Sequence, residues 1–142
     1  MQTLENYLSE YAESHQNPLN IKIHTICVPA IMWSLLGVLS TIKLIGELNL
    51  GILLAVISLI FYSLLKNIKV FIAVVSIILL CFLSFPLVAE LRLTGLFIFI
   101  LAWVGQFYGH KIEGKKPSFF KDLLFLLIGP IWVLKKLKIV KL

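Results

Sequence analysis

The chain opens on a stretch in which apolar and acidic positions are interleaved at helical spacing. Leu4, Tyr7, Leu8 and Tyr11 form one stripe and Glu5, Glu10 and Glu13 the polar remainder, which predicts an amphipathic helix over residues 3 to 15. Pro18 disfavours helical geometry at Asn17 and ends that helix, yet allows a new one to begin at once, because proline is tolerated in a first turn. From Ile23 to Ile45 the chain is apolar apart from Ser, Thr, His24 and Lys43, and at 1.5 Å per residue this run reaches about 34 Å, enough for a bilayer core. Three more apolar runs follow, Leu48 to Leu65, Val70 to Ala89 and Leu93 to about Tyr108. The runs from Leu48 and Leu93 are near the lower length limit for a span. The intervening loops are so short that neighbouring spans must be antiparallel. The predicted fold class is thus an all-α membrane protein: one integral-membrane domain over 1–142, with an amphipathic helix in residues 1–17 and four transmembrane helices in a bundle (about 23–45, 48–65, 70–89 and 93–108).

A fifth apolar run, "LLFLLIGPIWVL" at 123 to 134, is shorter than a spanning helix and carries Gly129-Pro130 at its centre, so segment 122–134 is expected to be re-entrant or interfacial. Charge supports this. Lys22, the Lys66/Lys69 loop and the Lys111 to Lys121 segment fall on one side of a four-span topology, with Lys43 and Arg92 alone on the other; the lysine-rich side is expected to be cytoplasmic. A full fifth crossing would carry the tail "KKLKIVKL" outside against the same rule.

Composition agrees: hydrophobic residues make up 60% of the 142 and charged ones 14%, against roughly half and about a quarter in soluble domains. The formal charge of +6 sits in short clusters beside apolar segments, where anionic lipid headgroups rather than nucleic acid are the expected partner, and no nucleic-acid motif is present. Cys27 and Cys81 lie inside apolar runs without ligand spacing and read as small hydrophobes. The N-terminal segment lacks the basic and apolar regions of a cleaved signal peptide. The location expected is a multi-pass membrane protein of a bacterial inner membrane or an endoplasmic reticulum.

In this topology the three histidines share the cytoplasmic face. His15 and His24 lie at the entrance of the first span and His110 at the exit of the fourth. Bundle closure would bring those two spans together, and the Asn-Pro turn could deliver His15 to the pair. Asn20 and His24 are four apart, and Gln106, His110 and Glu113 are spaced i, i+4, i+7, so each set forms one polar stripe. Such stripes are costly at membrane depth and tend to be functional. Two or three imidazoles completed by a carboxylate, amide or water suit iron or zinc better than magnesium or calcium. Glu113 can be read as a ligand, as a partner orienting a histidine, or as surface charge. Trp33, Trp103 and Trp132 read as packing or interface residues.

These residues carry a recognisable pattern. "HQNPLNIKIH" at 15 to 24 followed by "TICVP", "WVGQFYGHKIEGKKPS" at 103 to 118 and "IGP" at 128 to 130 resemble the membrane 2-hydroxy fatty acid dioxygenases of fungal sphingoid-base breakdown, over nearly the whole chain in segment order. The resemblance implies an Fe(II)-dependent enzyme of fatty-acid alpha-oxidation that shortens a long-chain 2-hydroxy fatty acid by one carbon. It places His15, His24 and His110 on the family's histidines, with Asn20, Gln106, Glu113 and Pro117 on accompanying positions. "IEGKKP" varies the family's basic stretch after the second block and leaves the ligand set intact.

The chemistry is coherent with that implication. A 2-hydroxy acid plus O2 gives the shorter acid, CO2 and water without external electrons, so no flavin or nicotinamide site is required, and no GxGxxG or P-loop occurs. Open positions on Fe(II) would take the hydroxyl and carboxylate of the substrate with O2 beside them. Lys111, Lys115 or Lys116 could attract the carboxylate, with the acyl chain among the spans. Other classes stay open on residue type: a haem-binding carrier with His24 and His110 as axial ligands, a zinc hydrolase, or a transporter or scaffold using the polar face to bind partners. A di-iron hydroxylase would need many more histidines, in HxxxH and HxxHH clusters.

Overall fold

A computed structural model describes residues 1–114 and 119–142, and side chains other than those of 119–122. Six α-helices dominate the described residues: α1 (Leu4–Glu13), α2 (Pro18–Ser40), α3 (Leu50–Leu64), α4 (Ile68–Ser84), α5 (Leu91–Glu113) and α6 (Phe119–Lys136). A 3-10 turn, Phe85–Leu87, extends α4 through Pro86. Four starts carry side-chain caps, Thr3 accepting from the Asn6 N–H, Asn17 from Leu19, Asn49 from Ile52 and Asn67 from Val70, each satisfying a donor the first turn leaves orphaned.

Three helical segments are long and apolar enough to cross a membrane: Pro18–Ser40, Ile68–Leu87 and Leu91–Glu113. The expected span at 48–65 is α3, apolar but 15 residues long; at 1.5 Å per residue it reaches about 22 Å, short of a bilayer core of about 30 Å. The expected end of the first span at Ile45 is also revised. The helix stops at Ser40, where the Ser40 and Thr41 hydroxyls turn back onto the Gly37 and Val38 carbonyls at 2.7 and 2.6 Å. Residues Lys43–Ile45 (β1) and Leu48–Asn49 (β2) then pair antiparallel. Gly46 at φ 57° makes the turn, a left-handed conformation that glycine adopts without steric penalty. At its start α2 begins at Pro18, five residues before Ile23, and so includes Asn20 and Lys22.

The chain divides into two compact units, one of residues Met1–Pro29 and Leu101–Leu142, the other of Ala30–Ile100. In the second, α3 and α4 pack as a hairpin with Tyr62, Val70, Val74 and Ile78 buried. Trp33 donates to the Ser84 hydroxyl at 2.8 Å. Arg92 donates to the Thr41 hydroxyl and carbonyl at 3.1 and 3.2 Å. The first unit holds all three histidines. Its α1 buries Tyr7, Leu8 and Tyr11, and it packs on α6, which runs unbroken through Gly129-Pro130 and is buried from Ile128 to Leu134.

Candidate functional site

The end of α1 delivers His15. After the helix closes at Ser14, His15 is 4% exposed, and its ring lies flat on Tyr11 with centroids 4.1 Å apart and planes 5° from parallel. Its Nδ1 stands 2.6 Å from the Tyr11 carbonyl oxygen. A carbonyl only accepts, so Nδ1 carries the proton and donates, leaving the lone pair on Nε2. His24 repeats the device one helix later. Its Nδ1 donates to the Asn20 carbonyl oxygen at 3.0 Å, four residues back, and its side chain is 1% exposed. Both imidazoles therefore turn Nε2 away from their own backbones, an arrangement that fixes ring orientation and ligand basicity in metal sites.

His110, half-buried in the last turn of α5, completes the group. The ring centroids of His15 and His24 are 4.2 Å apart, those of His24 and His110 5.2 Å, and those of His15 and His110 6.1 Å, with planes 66° to 88° from parallel. Trp132 lies 5.3 Å from both the His15 and Tyr11 rings, and Phe125 meets Tyr11 edge-on at 5.2 Å. Those aromatics wall the cluster on the side of α1 and α6. Burial pushes the His15 imidazole down to about 4, partly opposed by the Tyr11 carbonyl bond, so at neutral pH the ring is unprotonated and able to act as a ligand.

The polar residues around the rings have distinct tasks. Asn20 is fully buried and donates through Nδ2 to the Ser14 carbonyl at 3.2 Å, tying α2 to the turn that holds His15. Gln106, 6% exposed, interacts electrostatically with the His24 imidazole. Glu113 reaches the same turn: its carboxylate accepts from the Gln16 N–H and from Asn17 at 2.8 Å. Of the roles open to it in sequence, the structure shows it clamping the α1–α2 turn. Gly109 lets α5 approach closely. A Cβ there would overlap Asn20 Oδ1 and stand 3.0 Å from His24 Cε1. Small residues at such crossings are how helices approach each other in membranes.

Does this donor set fit a metal? Imidazoles bound at about 2.1 Å place their ring centroids roughly 3.2 Å from the ion, hence about 4.5 to 5.2 Å from each other at right-angled to tetrahedral geometry. The observed separations bracket that range. His15 Nε2 is buried without a hydrogen-bond partner, which is what a lone pair awaiting a cation looks like. Among the described residues no trio of His, Cys, Asp or Glu already stands at ligand separation, so closing on an ion takes a reorientation of the rings. The set is neutral and nitrogen-rich, suited to iron or zinc.

Of the residues singled out in sequence, His15, His24, His110, Asn20 and Gln106 come together. Lys111 follows His110 and is exposed. Lys115, Lys116 and Pro117 lie outside the described residues. Sequence reasoning missed Tyr11 as a wall of the site, although its place four residues before His15 on one helical face was the available signal. It also missed Gly109 and Trp132, the latter because no periodicity connects residue 132 to residue 15.

An apolar helical protein with spanning-length helices and a three-histidine cluster, two of its rings buried, is thus the class defined by fold and site. The model of the Mpo1-like family, described as 2-hydroxy-palmitic acid dioxygenase Mpo1-like, matches residues 1–140, and the chain belongs to that family. It is 31% identical over 134 residues to the 2-hydroxy-palmitic acid dioxygenase MPO1 of Saccharomyces cerevisiae, covering 92% of this chain and 77% of that one. No solved structure matches.

Proposed function

We propose that this protein is a 2-hydroxy fatty acid dioxygenase in which His15, His24 and His110 hold Fe(II), converting a long-chain 2-hydroxy acid and O2 into the acid one carbon shorter, CO2 and water. The observation that carries the reading is the convergence of three imidazoles, two with Nδ1–H committed to carbonyls four residues back and Nε2 turned outward. Family membership supports the substrate class. Bound iron would supply the redox centre at which O2 and the hydroxy acid meet.

The chain's own residues do the rest. The Tyr11 and Asn20 carbonyls hold the His15 and His24 protons on Nδ1 and so fix both rings. Glu113 pins the backbone at Gln16 and Asn17, which sets where His15 stands. Tyr11, Trp132 and Phe125 exclude water from that side. Lys111, exposed and next to His110 in the chain, would attract the substrate carboxylate. The histidine face is the cytoplasmic one on the distribution of lysines. The hydroxy acid gives up four electrons and O2 takes four, so the reaction balances without a second redox partner.

The test is metal analysis of anaerobically purified protein followed by O2 uptake on adding 2-hydroxypalmitate. About one iron per chain, with uptake and pentadecanoate as product, supports the reading. Iron-loaded protein that consumes no O2 with this substrate would overturn it.

A further inference from the structure

The side-chain amide of Asn20 is an unusual group to find wholly buried in apolar helices. Its two ends can be told apart. Nδ2 donates to the Ser14 carbonyl at 3.2 Å. A carbonyl only accepts, so the NH2 end faces it and Oδ1 is the opposite end. That oxygen is buried, and no donor in the described structure reaches it. It lies beside the His24 ring: Asn20 Oδ1 and His24 Cε1 converge on one point, the position a Cβ of residue 109 would occupy.

A buried acceptor without a donor is costly, and the state that supplies one is favoured. No described residue supplies that donor, and a molecule bound beside His24 would. We propose that Asn20 is a specificity-determining residue whose Oδ1 accepts the hydrogen bond of the substrate's 2-hydroxyl. This rests on the dioxygenase reading above and adds to it the group by which a 2-hydroxy acid is told from an ordinary fatty acid. A swivelled amide that presented NH2 instead would set its oxygen against the Ser14 carbonyl. A site built to bond a hydroxyl rejects the analogue lacking it, since its own polar atom is then left unpaired.

Binding to zinc-loaded protein separates recognition from turnover, because zinc does not react with O2. The affinities of 2-hydroxypalmitate and palmitate are measured by calorimetry in detergent for the wild type, Asn20→Ala, the near-isosteric Asn20→Leu and, as a control, Glu113→Gln. The ratio of the two affinities within one variant cancels general loosening of the fold. The wild type is expected to prefer the hydroxy acid by at least about tenfold, and either Asn20 substitution to shrink that preference by about tenfold. Glu113→Gln, which disturbs the same turn but leaves Oδ1 in place, is expected to keep the preference. An Asn20 variant that binds both acids more weakly with an unchanged ratio overturns the proposal and leaves the hydroxy-acid reading standing, as does a collapse of the ratio in Glu113→Gln equal to that in Asn20→Ala. A wild type with no preference removes the hydroxy-acid reading and this proposal together.

Discussion

Gly109→Ala is the sharpest single test of the site, because one methyl group enters where α5 meets both Asn20 and His24. The added Cβ would overlap Asn20 Oδ1 and stand 3.0 Å from His24 Cε1 and 3.2 Å from Nδ1, all tighter than ordinary contact. Asn20 has little room to yield: its side chain is fully buried, its Nδ2 is bonded to Ser14, and its own carbonyl holds His24. Overpacking of this kind costs about 1–3 kcal/mol, while alanine in place of a helical glycine returns roughly 1 kcal/mol. The net loss is therefore about 0–2 kcal/mol, and the protein stays folded. Function should respond far more, since the His24 ring must shift by tenths of an ångström or more, and displacements of about 1 Å in a reacting constellation cost on the order of 100-fold in rate. The comparison variant is Gly105→Ala, whose Cβ would meet Cys27 Sγ at 2.6 Å and no histidine. Thermal unfolding in detergent, iron content and O2 uptake are measured for both. Comparable destabilisation with turnover lost only at position 109 is the expected result; Gly109→Ala with iron and turnover within twofold of wild type would refute the reasoning.

Replacing His15, His24 or His110 by alanine is expected to abolish stoichiometric iron in each case, read by metal analysis of the purified variants. Glu113→Ala frees the Gln16 and Asn17 N–H groups and, by loosening the turn that places His15, should weaken iron binding by about 10- to 100-fold, measured by competition with a chelator; unchanged affinity would show that the clamp does not position the ligand. For pH, His15 is held at about 4 against an ordinary value of 6.5, so the unfolded chain takes up the extra proton. Its contribution to stability is complete above pH 6.5 and is lost as pH falls toward 4, by about 3 kcal/mol in all. The thermal midpoint of metal-free protein should therefore fall on acidification through that window, less steeply in His15→Gln, and equal slopes would exclude the effect.

The helices were legible because lipid-facing and protein-facing apolar positions produce one continuous run, and Pro18 marked where α2 begins, but hydropathy did not show what surrounds the polar residues of its first turns. Asn20, Lys22 and His24 interrupt the hydropathy of residues 18 to 24, yet Asn20 and His24 point into protein, where hydrogen bonds replace water. A hydropathy pattern cannot distinguish a polar residue at a membrane surface from one enclosed by neighbours. At the other end, apolar Ile42, Leu44 and Ile45 extend the run past the true stop at Ser40, and only the backbone shows that Gly46 turns them into a hairpin. The histidine cluster was anticipated from the expectation that the helices carrying His24 and His110 close on each other, and their rings lie 5.2 Å apart. Glu113 was harder: three residues past His110, a carboxylate looks like a metal donor, and nothing in a sequence marks the backbone N–H groups of Gln16 and Asn17 as its partners.

The accounting of polar atoms around the cluster explains why so apolar a protein retains this set. The Nδ1 atoms of His15 and His24 reach carbonyls, Asn20 Nδ2 reaches Ser14, and the Glu113 carboxylate reaches two backbone donors. Each of these bonds holds a turn or a ring in place and would be costly to break where water cannot substitute. Two buried atoms without a hydrogen-bond partner among the described residues, His15 Nε2 and Asn20 Oδ1, differ in kind. The first is a lone pair of the type a metal takes, and the second is an acceptor of the type a hydroxyl fills. A purely structural polar cluster would gain stability by satisfying both internally or replacing them with apolar atoms. Their coexistence beside His24 instead matches a site in which a cation and a hydroxylated ligand arrive together, and it predicts that zinc and 2-hydroxypalmitate raise the thermal midpoint more in combination than the sum of their separate effects.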